Sequence, residues 1–463
     1  MKIAVLGGGL TGIALANTLT RKGHDVTVLE KEANTGGLCR SVTKDGFTFD
    51  IGGSHIIFSR DKEVNDFLCD VLAENKDKRK RNTKIFFKGA HVKYPFENGL
   101  HDLPPEDRFF CINEFVKNLI ALEKGELKKP ENFREWIYYT FGKGIAESYM
   151  VPYNEKIWNY KTEDMSLHWV DGRIPRPPVE DIIKSAIGIE TEGYTHQSVF
   201  NYPIKGGIEA MVNALKEPVK DKIITDCEVT GVVRVGDGNG GNGDDNAGNG
   251  NGDNAGFVVK TSKGDFACDK VISTLPPTVL LSCLKNGGAV VPPEAAAACK
   301  DLRYNSIACI GIGVKGGVGD ISWMYIPQLD IGAFNRISFP SNFSTEVAPK
   351  GCSSILAEIT YNDGDKISKM SDEELVDEVI RGLTKMNLVK SRDDVVFTSV
   401  NRYEYAYVVY DLAYLKNVKI MREFFESQGI DLVGRFSEFE YLNMDGCIRH
   451  VLDYAAKIEN AKK

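Results

Sequence analysis

The stretch Ile3-Ala-Val-Leu-Gly-Gly-Gly-Leu-Thr-Gly12 decides the fold of this chain. It is a short apolar strand that leads into Gly7, Gly9 and Gly12, and a second strand, Asp25-Val-Thr-Val-Leu-Glu30, ends in an acid 18 positions after Gly12. This is the βαβ fingerprint of a dinucleotide site: Gly7 makes the tight turn, Gly9 lets the backbone approach the pyrophosphate, and Gly12 packs helix on strand. Glu30 is predicted to hold ribose hydroxyls, and the helix N-terminus to face the phosphates.

Later glycines indicate which nucleotide is bound. Thr35-Gly-Gly-Leu-Cys-Arg-Ser41 follows Glu30, and Asp50-Ile-Gly-Gly-Ser-His-Ile-Ile-Phe-Ser59 adds another glycine pair on an apolar strand. Gly36 and Gly37, followed by Arg40, let a second backbone segment lie against a long cofactor. This order of segments resembles the FAD-binding amine-oxidase-like flavoproteins, so we predict FAD. An NAD enzyme of the same fold class is the alternative.

Size and composition limit the partners. With 463 residues, 42% hydrophobic and 26% charged, the chain is predicted to be a soluble globular protein of two or three domains. A net charge of −8 and a pI near 5.6 argue against binding to nucleic acid. Any anionic ligand must therefore be met by locally placed arginines.

The cysteines and histidines indicate neither a disulfide framework nor a metal site. The ten cysteines are scattered without a C-x-x-C pair, a pattern typical of reduced thiols in a cytoplasmic protein. The seven histidines form no H-x-x-x-H motif, so we predict no metal. Because no apolar run reaches the ~18 residues that a bilayer requires, we predict no membrane span.

The predicted fold class is α/β: a Rossmann-like FAD-binding domain with an inserted helical domain and a mostly antiparallel substrate-side sheet. The FAD-binding domain is assigned to residues 1–83, 200–285 and 431–463, a sheet hairpin to 84–100, the helical domain to 101–190, and the antiparallel sheet to 286–430. The Gly/Asn/Asp-rich tract 235–256 has almost no apolar surface to bury, so it is predicted to be a disordered loop. A cation-binding acidic repeat is the alternative, although no regular nonapeptide spacing appears.

Ordered motifs link the chain to one enzyme family. They are Gly53-Ser-His-Ile56, Tyr94-Pro-Phe96, Tyr153-Asn-Glu-Lys-Ile-Trp158, Gly172-Arg-Ile-Pro175 and Val433-Gly-Arg-Phe-Ser-Glu-Phe-Glu-Tyr-Leu-Asn-Met444. In this order they resemble motifs of bacterial UDP-galactopyranose mutases. The chain is also similar to related flavoproteins of the amine oxidase and protoporphyrinogen oxidase type.

The resemblance implies the substrate residues. Arg173 and Arg336 would clamp the substrate diphosphate, Tyr407 and Tyr441 would bind its phosphates, Tyr153 would stack on uracil, and Trp158 would wall the sugar pocket. A buried guanidinium without an anionic partner is costly, which supports the two arginines independently. Alanine at either arginine is therefore expected to weaken UDP binding without affecting stability. Each tyrosine alone fits a core position equally well.

The flavin-side residues follow from the same resemblance. A lone histidine on an apolar strand is more often a core residue, but the resemblance implies that His55 lies by the flavin. Arg435 would stabilise the negative charge of reduced flavin, and the helix start after Asn443 and Met444 would point N–H groups at its pyrimidine edge. One extra residue after His55, and Asn443 in place of the family's aspartate, depart from the pattern. The extra residue leaves the role of His55 open.

We therefore predict a mutase that interconverts a UDP-hexopyranose and a UDP-hexofuranose, with UDP-galactose as first candidate and cell-surface glycan biosynthesis as its setting. The resemblance implies that FAD must be reduced and that its N5 attacks the anomeric carbon; no side-chain nucleophile is required. The alternative is an FAD-dependent oxidoreductase of the amine oxidase or protoporphyrinogen oxidase type. An external reductant such as NAD(P)H, the sugar epimer and a homo-oligomeric state stay open.

Overall fold

The computed structural model of the protein describes residues 1–171, 173–174, 176–191, 198–235 and 256–460. The described strands are β1 (Lys2–Leu6), β2 (Asp25–Leu29), β3 (Ser41–Lys44), β4 (Phe47–Asp50), β5 (Asp77–Lys80), β6 (Thr83–Phe87), β7 (Ala90–Lys93), β8 (Val199–Tyr202), β9 (Ile223–Ile224), β10 (Val229–Arg234), β11 (Phe257–Thr261), β12 (Gly264–Cys268), β13 (Lys270–Ser273), β14 (Tyr304–Lys315), β15 (Trp323–Tyr325), β16 (Arg336–Ser338), β17 (Cys352–Tyr361), β18 (Val395–Val408) and β19 (Asp431–Leu432). The predicted loop 235–256 lies, except for its two end residues, outside this description.

The described α-helices are α1 (Leu10–Arg21), α2 (Lys62–Asp70), α3 (Pro105–Glu123), α4 (Phe133–Ile145), α5 (Val151–Trp158), α6 (Val179–Ala186), α7 (Glu209–Lys216), α8 (Pro277–Asn286), α9 (Pro293–Asp301), α10 (Lys366–Lys369), α11 (Asp372–Lys385), α12 (Tyr414–Ser427) and α13 (Met444–Asn460). A π-helical segment, Ala146–Met150, joins α4 to α5. None of these helices is both long and apolar enough to cross a bilayer.

The chain divides into two compact units. The first, here called the dinucleotide unit, comprises Met1–Gly37, Met211–Leu302 and Leu415–Lys463. Its main sheet has the order β19-β13-β1-β2-β9, and every neighbouring pair is parallel. Helix α1 connects β1 to β2, so these elements form the βαβ unit that the glycine spacing predicts. A smaller antiparallel sheet, β10-β11-β12, belongs to the same unit.

The second unit, here called the sheet unit, comprises Leu38–Ala210 and Arg303–Tyr414. Its seven-stranded sheet has the order β18-β14-β17-β16-β15-β6-β7, and all pairs are antiparallel except β15 with β6. Apolar side chains of β14, β16 and β17 pack against helix α11 in one buried core. Helices α3 and α4 lie between β7 and the later strands of the chain as an insertion.

The predicted fold class is therefore confirmed: a Rossmann-like domain, an inserted helical segment and a mostly antiparallel sheet. A nearly continuous run of apolar and small residues forms β14, whose interior positions are buried on both faces of the sheet. Glycine allows close packing within the helical insertion, because a Cβ on Gly144 would lie 2.5 Å from the Cα of Cys111. All ten cysteines are free thiols, nine of them buried.

Candidate functional site

The three fingerprint glycines, Gly7, Gly9 and Gly12, have different steric environments. Gly7 has φ +100°, and a Cβ there would lie 2.5 Å from Thr274 Oγ1. A Cβ on Gly12 would lie 2.0 Å from the carbonyl oxygen of Gly7, so glycine is required for α1 to pack on β1. A Cβ on Gly9, in contrast, meets only the Cα of Gly37, at 3.9 Å. The surface above Gly9 is therefore open, as close approach of a pyrophosphate requires.

The start of α1 is suited to an anion. Gly9 is the N-cap residue, no side chain caps the helix, and the first turn contains no acidic residue. Free N–H groups and the positive end of the helix dipole therefore face outward at Gly9. Glu30 lies directly after β2, where its Oε2 accepts a hydrogen bond from the Gly8 N–H at 2.7 Å. The acid of the fingerprint is thus fixed beside the glycine turn.

A second glycine segment lies against this turn. Gly36 pairs with Gly9 as an isolated parallel bridge, and its N–H donates to the Gly8 carbonyl at 2.8 Å. Gly36 and Gly37 have φ values of +113° and +56°, in the region that favours glycine. The open Gly9 surface, the uncapped helix and this glycine bridge together fit a dinucleotide cofactor.

The C-terminal motif packs on the same helix. Gly434 has φ +97°, and a Cβ there would lie 2.6 Å from Thr11 Oγ1 in the first turn of α1. Its N–H donates to Glu438 Oε2 at 2.6 Å, and the same oxygen lies 2.7 Å from His450 Nδ1. The hydrogen bond that the His450 imidazole donates to the Glu438 carboxylate raises the pKa of His450. This ion pair holds the backbone immediately before Arg435.

Arg435 and Tyr441 lie together in the dinucleotide unit. The guanidinium of Arg435 stands 4.6 Å from the centre of the Tyr441 ring, and its Nη1 donates to the Leu442 carbonyl at 2.7 Å. Asn443 is exposed, and Met444 is buried as the first residue of α13. The flavin roles of these residues, and the phosphate role of Tyr441, stay predictions.

In the sheet unit, the predicted base-stacking residue belongs to a series of aromatic rings. Tyr153 stacks on Tyr149 with ring centres 5.2 Å apart, and Tyr149 stacks on Phe96 at 4.9 Å. Tyr325 and Tyr153 meet edge to face with ring centres 5.3 Å apart. Tyr149 lies in the π-helical segment, a geometry frequent at functional sites. As a whole residue, Tyr153 is partly buried.

Arg336 faces a carboxylate that the sequence interpretation did not include. Strands β16 and β17 pair with Arg336 directly opposite Glu358, which places both side chains on one face of the sheet. Nε donates to Glu358 Oε1 at 3.0 Å and Nη2 to Oε2 at 2.5 Å. Burial alone would lower the pKa of Arg336, but Glu358, Tyr407 and Tyr325 keep it well above its usual range.

The ion pair with Glu358 accounts for the burial of Arg336. The buried guanidinium of Arg336 has an anionic partner within the protein, so its burial does not itself require a substrate anion. Two of its five N–H donors are used by Glu358, and the other three have no acceptor among the residues that the structure describes. Arg336 can therefore still bind a ligand oxygen through its outer edge.

Trp158 and Tyr407 lie beside each other in the sheet unit. Their rings meet edge to face with centres 6.1 Å apart, and Trp158 makes a similar contact with Trp169 at 5.2 Å. Trp158 is buried, and its indole N–H donates to Asn154 Oδ1 at 3.3 Å. Since Tyr407 also adds to the electrostatic environment of Arg336, the structure brings Trp158, Tyr407 and Arg336 into one region.

His55 lies in a segment held by two buried carboxyl groups. The backbone N–H of His55 donates to Asp50, and the N–H of Ser54 donates to Glu358 Oε1 at 3.2 Å. Asp50 also accepts from the Ile208 N–H and from the hydroxyls of Ser41 and Tyr202. Burial raises the pKa of Asp50 to about 6 despite these donors. The backbone position of His55 is therefore tightly determined.

Two further buried groups flank the aromatic rings. Lys156, on the same helix as Tyr153, donates to the carbonyls of Ile326 and Gln328 at 3.0 and 2.9 Å. Burial lowers the pKa of Lys156 to about 7. Burial also raises the pKa of Glu97 to about 7. Both side chains thus titrate near neutral pH, which the sequence alone did not reveal.

The remaining predicted residues lie elsewhere in the sheet unit. Arg173 lies in a turn in which its N–H donates to the Val170 carbonyl at 3.1 Å, and its neighbours Gly172 and Pro175 are outside the described residues. The diphosphate clamp stays a prediction. Arg40 Nη2 donates to the hydroxyl of Tyr403 at 3.4 Å. No group of three potential metal ligands occurs among the described residues.

Sequence reasoning missed Glu358, Tyr325 and Arg81. Arg81 donates to the Tyr325 hydroxyl at 3.2 Å, and its guanidinium lies 5.0 Å from the centre of the Trp323 ring. A strand-pairing prediction for Arg336 would have revealed Glu358, since the two residues share a register position. No local motif marks Arg81 or Tyr325.

Comparison with known proteins is consistent with this geometry. The sequence profile for flavin-containing amine oxidoreductases matches residues 10–417. A crystal structure of reduced UDP-galactopyranose mutase superposes with a TM-score of 0.84 and 26% identity, covering 99% of this chain and 96% of that one. A protein of Exiguobacterium sp. 255-15, provisionally described as a protoporphyrinogen oxidase, superposes with a TM-score of 0.75, 18% identity and 99% coverage of each chain. At that identity the likeness shows the fold alone.

One curated relative matches a short part of the chain. A 4,4'-diapophytoene desaturase of Staphylococcus aureus (strain bovine RF122 / ET3-1) is 54% identical over 52 residues. That match spans 11% of this chain and 10% of the desaturase. The chain thus matches only about a tenth of the length of this curated relative.

Proposed function

The chain belongs to the family of flavin-containing amine oxidoreductases, which implies bound FAD, and from this premise we propose that it is an FAD-dependent mutase. Its reaction would interconvert a UDP-hexopyranose and a UDP-hexofuranose, with UDP-galactose as first candidate. When bound in its reduced form, FAD would supply the nucleophilic N5 that this chemistry needs.

One observation carries the proposal: Arg336 lies opposite Tyr325 on the neighbouring strand, within electrostatic reach of Tyr407, and keeps N–H donors that Glu358 does not use. Three N–H donors of a guanidinium whose pKa is well above its usual range are available there to oxygen acceptors. Tyr153, a partly buried residue, contributes an aromatic ring, and Tyr407 contributes a phenol hydroxyl. Donors of this kind beside an aromatic surface suit a nucleoside diphosphate better than an uncharged or cationic substrate.

The substrate roles in this proposal are those that the resemblance implies. Tyr153 would stack on uracil, while Arg336 and Arg173 would hold the diphosphate, with Tyr407 and Tyr441 as further phosphate ligands. Trp158 would form a wall of the sugar pocket. These contacts would keep UDP near the sugar after it leaves, so that it is in place for the return step.

The proposed cofactor residues are assigned to separate parts of FAD. The turn with Gly7, Gly9 and Gly12 would hold the pyrophosphate, Glu30 the ribose, and Gly36, Gly37 and Arg40 the neighbouring part of the dinucleotide. Arg435, with the start of α13 after Asn443 and Met444, would stabilise negative charge on the ring system. His55 would lie at its reactive edge.

An FAD-dependent oxidoreductase is the second candidate function. The local match to a desaturase and the profile of flavin-containing amine oxidoreductases favour it. Such an enzyme would use the same dinucleotide unit, but it gives no reason for UDP to bind.

Incubation of the dithionite-reduced protein with UDP-galactose tests the proposal. Chromatography should detect the furanose isomer, and the flavin should stay reduced after each turnover without stoichiometric oxidant. Oxidised protein treated in the same way is the control and should give no product. Oxygen consumption with an amine or porphyrinogen, together with no isomerisation of any UDP-sugar, would instead establish the oxidoreductase function.

A further inference from the structure

We propose that Glu358 is a positioning residue that fixes two parts of the substrate region through one carboxylate: the guanidinium of Arg336 and the Gly53–Ser54 backbone before His55. The substrate part of this inference rests on the proposed function. The backbone part does not, and the two are tested separately below.

The first contact determines where Arg336 points. Glu358 accepts from Nε and Nη2, which are on one edge of the guanidinium. A bidentate pair of this kind allows little rotation, so the remaining donors face the opposite direction. Without Glu358, the long side chain would have to be ordered by the ligand itself, at a cost in affinity.

The second contact reaches the segment that precedes His55. Ser54 N–H donates to Glu358 Oε1, the same oxygen that accepts from Arg336 Nε. A Cβ on Gly53 would lie 3.3 Å from Glu358 Oε2, and the φ of Gly53 is +104°. Glycine at this position therefore allows the carboxylate to approach the backbone. The Trp323 indole N–H donates to Ser54 Oγ at 3.1 Å and holds the other side of the segment.

Burial of the Glu358 carboxylate requires both of its contacts, with Arg336 and with the Ser54 N–H. The Glu358 side chain is 1% exposed, so its charge must be met by Arg336 and the backbone N–H rather than by water. A movement of Arg336 toward a ligand would leave the carboxylate uncompensated. Glu358 therefore links the position of the arginine to that of the His55 segment.

Hydrogen–deuterium exchange of Glu358→Gln tests the backbone part without any substrate. The Ser54 amide should exchange about tenfold faster than in the wild type, because its charge-assisted hydrogen bond to Glu358 is weakened. Asp377→Asn is the matched control, since it removes one carboxylate from an exposed ion pair of the same unit. Unchanged exchange in Glu358→Gln would overturn the proposal.

A double-mutant cycle with UDP tests the arginine part. Arg336→Gln should weaken UDP binding by about 10- to 100-fold, and Glu358→Gln by about tenfold. If Glu358 acts through Arg336, the double variant should bind no more weakly than Arg336→Gln alone. Losses that multiply, or an affinity unchanged in Glu358→Gln, would overturn the proposal.

Two complications, failure of Glu358→Gln to fold and absence of UDP binding, each have a defined outcome. If Glu358→Gln does not fold, Glu358→Asp retains the charge but shortens the side chain, and the same exchange and affinity changes are expected in that variant. If the wild type binds no UDP at all, the proposed function fails, while exchange at Ser54 still decides whether Glu358 positions the segment.

Discussion

The candidate binding regions of the two units are shaped by different kinds of interaction. In the dinucleotide unit the binding region depends on the absence of side chains. Gly7 leaves room for the turn, Gly9 for a ligand, and Gly12 for the contact of α1 with the turn. In the sheet unit it depends on side chains that meet across strands, above all Arg336 and Glu358. Backbone sterics leave a local signature in sequence, whereas a cross-strand ion pair does not.

The same difference predicts how each unit responds to mutation. Substitution at a glycine adds atoms to a space that is either filled by protein or open. Substitution within the ion pair leaves a buried charge without its partner. The following changes test this comparison, from the largest expected effect to the smallest.

Valine at the glycines should separate folding from cofactor binding. Gly12→Val should prevent folding of the dinucleotide unit, because its Cβ would lie 2.0 Å from the Gly7 oxygen. Gly9→Val should abolish FAD binding but leave the apoprotein folded, since Gly9 has φ −71° and open space beside it. Flavin absorbance and circular dichroism measure the two effects. Normal flavin content in Gly9→Val would show that the cofactor does not approach this turn.

Alanine at Arg336 should destabilise the sheet unit by about 3–5 kcal/mol, because it strands the buried Glu358 carboxylate. This replaces the expectation from sequence that stability would be unaffected. Chemical denaturation measures the loss. Arg392→Ala, which breaks the exposed pair with Asp377, is the control and should cost less than about 1 kcal/mol. Equal stability of the two variants would contradict the stranded-charge account.

Asp50 should make the sheet unit less stable as the pH rises. Burial raises its pKa from 3.8 to about 6, so the folded state holds the proton more tightly than the unfolded state does. Stability from this group is present at low pH and falls by roughly 3 kcal/mol between about pH 4 and pH 6. Denaturation of Asp50→Asn beside the wild type isolates this effect. A difference between them that does not change with pH would contradict it.

Titration of His450, a cationic group, should have a smaller effect on the stability of the dinucleotide unit. Its pKa is raised by Glu438, so the ion pair contributes stability below pH 6.5 that is lost as the pH rises through the higher folded pKa. Because the imidazole is 30% exposed, we expect less than about 1 kcal/mol. Melting temperatures of His450→Gln across that pH range should vary less than those of the wild type. Identical pH profiles would exclude this contribution.

The sequence predicted the elements that depend on local pattern. Helix α1 follows the glycine turn between β1 and β2, and β14 and β17 belong to a mostly antiparallel sheet, both in agreement with the predicted fold class. Lys156 and Asp50 acquire their pKa values from burial by distant segments, which no window of sequence contains. Glu358 is 22 residues from Arg336, and only strand register brings them together.

The central claim is that the sheet unit binds a nucleoside diphosphate while the dinucleotide unit binds FAD. Isothermal titration of UDP into the FAD-loaded protein tests it most directly. The account predicts saturable binding that Arg173→Ala weakens by about 10- to 100-fold without loss of flavin, since a charge-assisted contact is removed. If the wild type and this variant are equally indifferent to UDP, the claim is wrong.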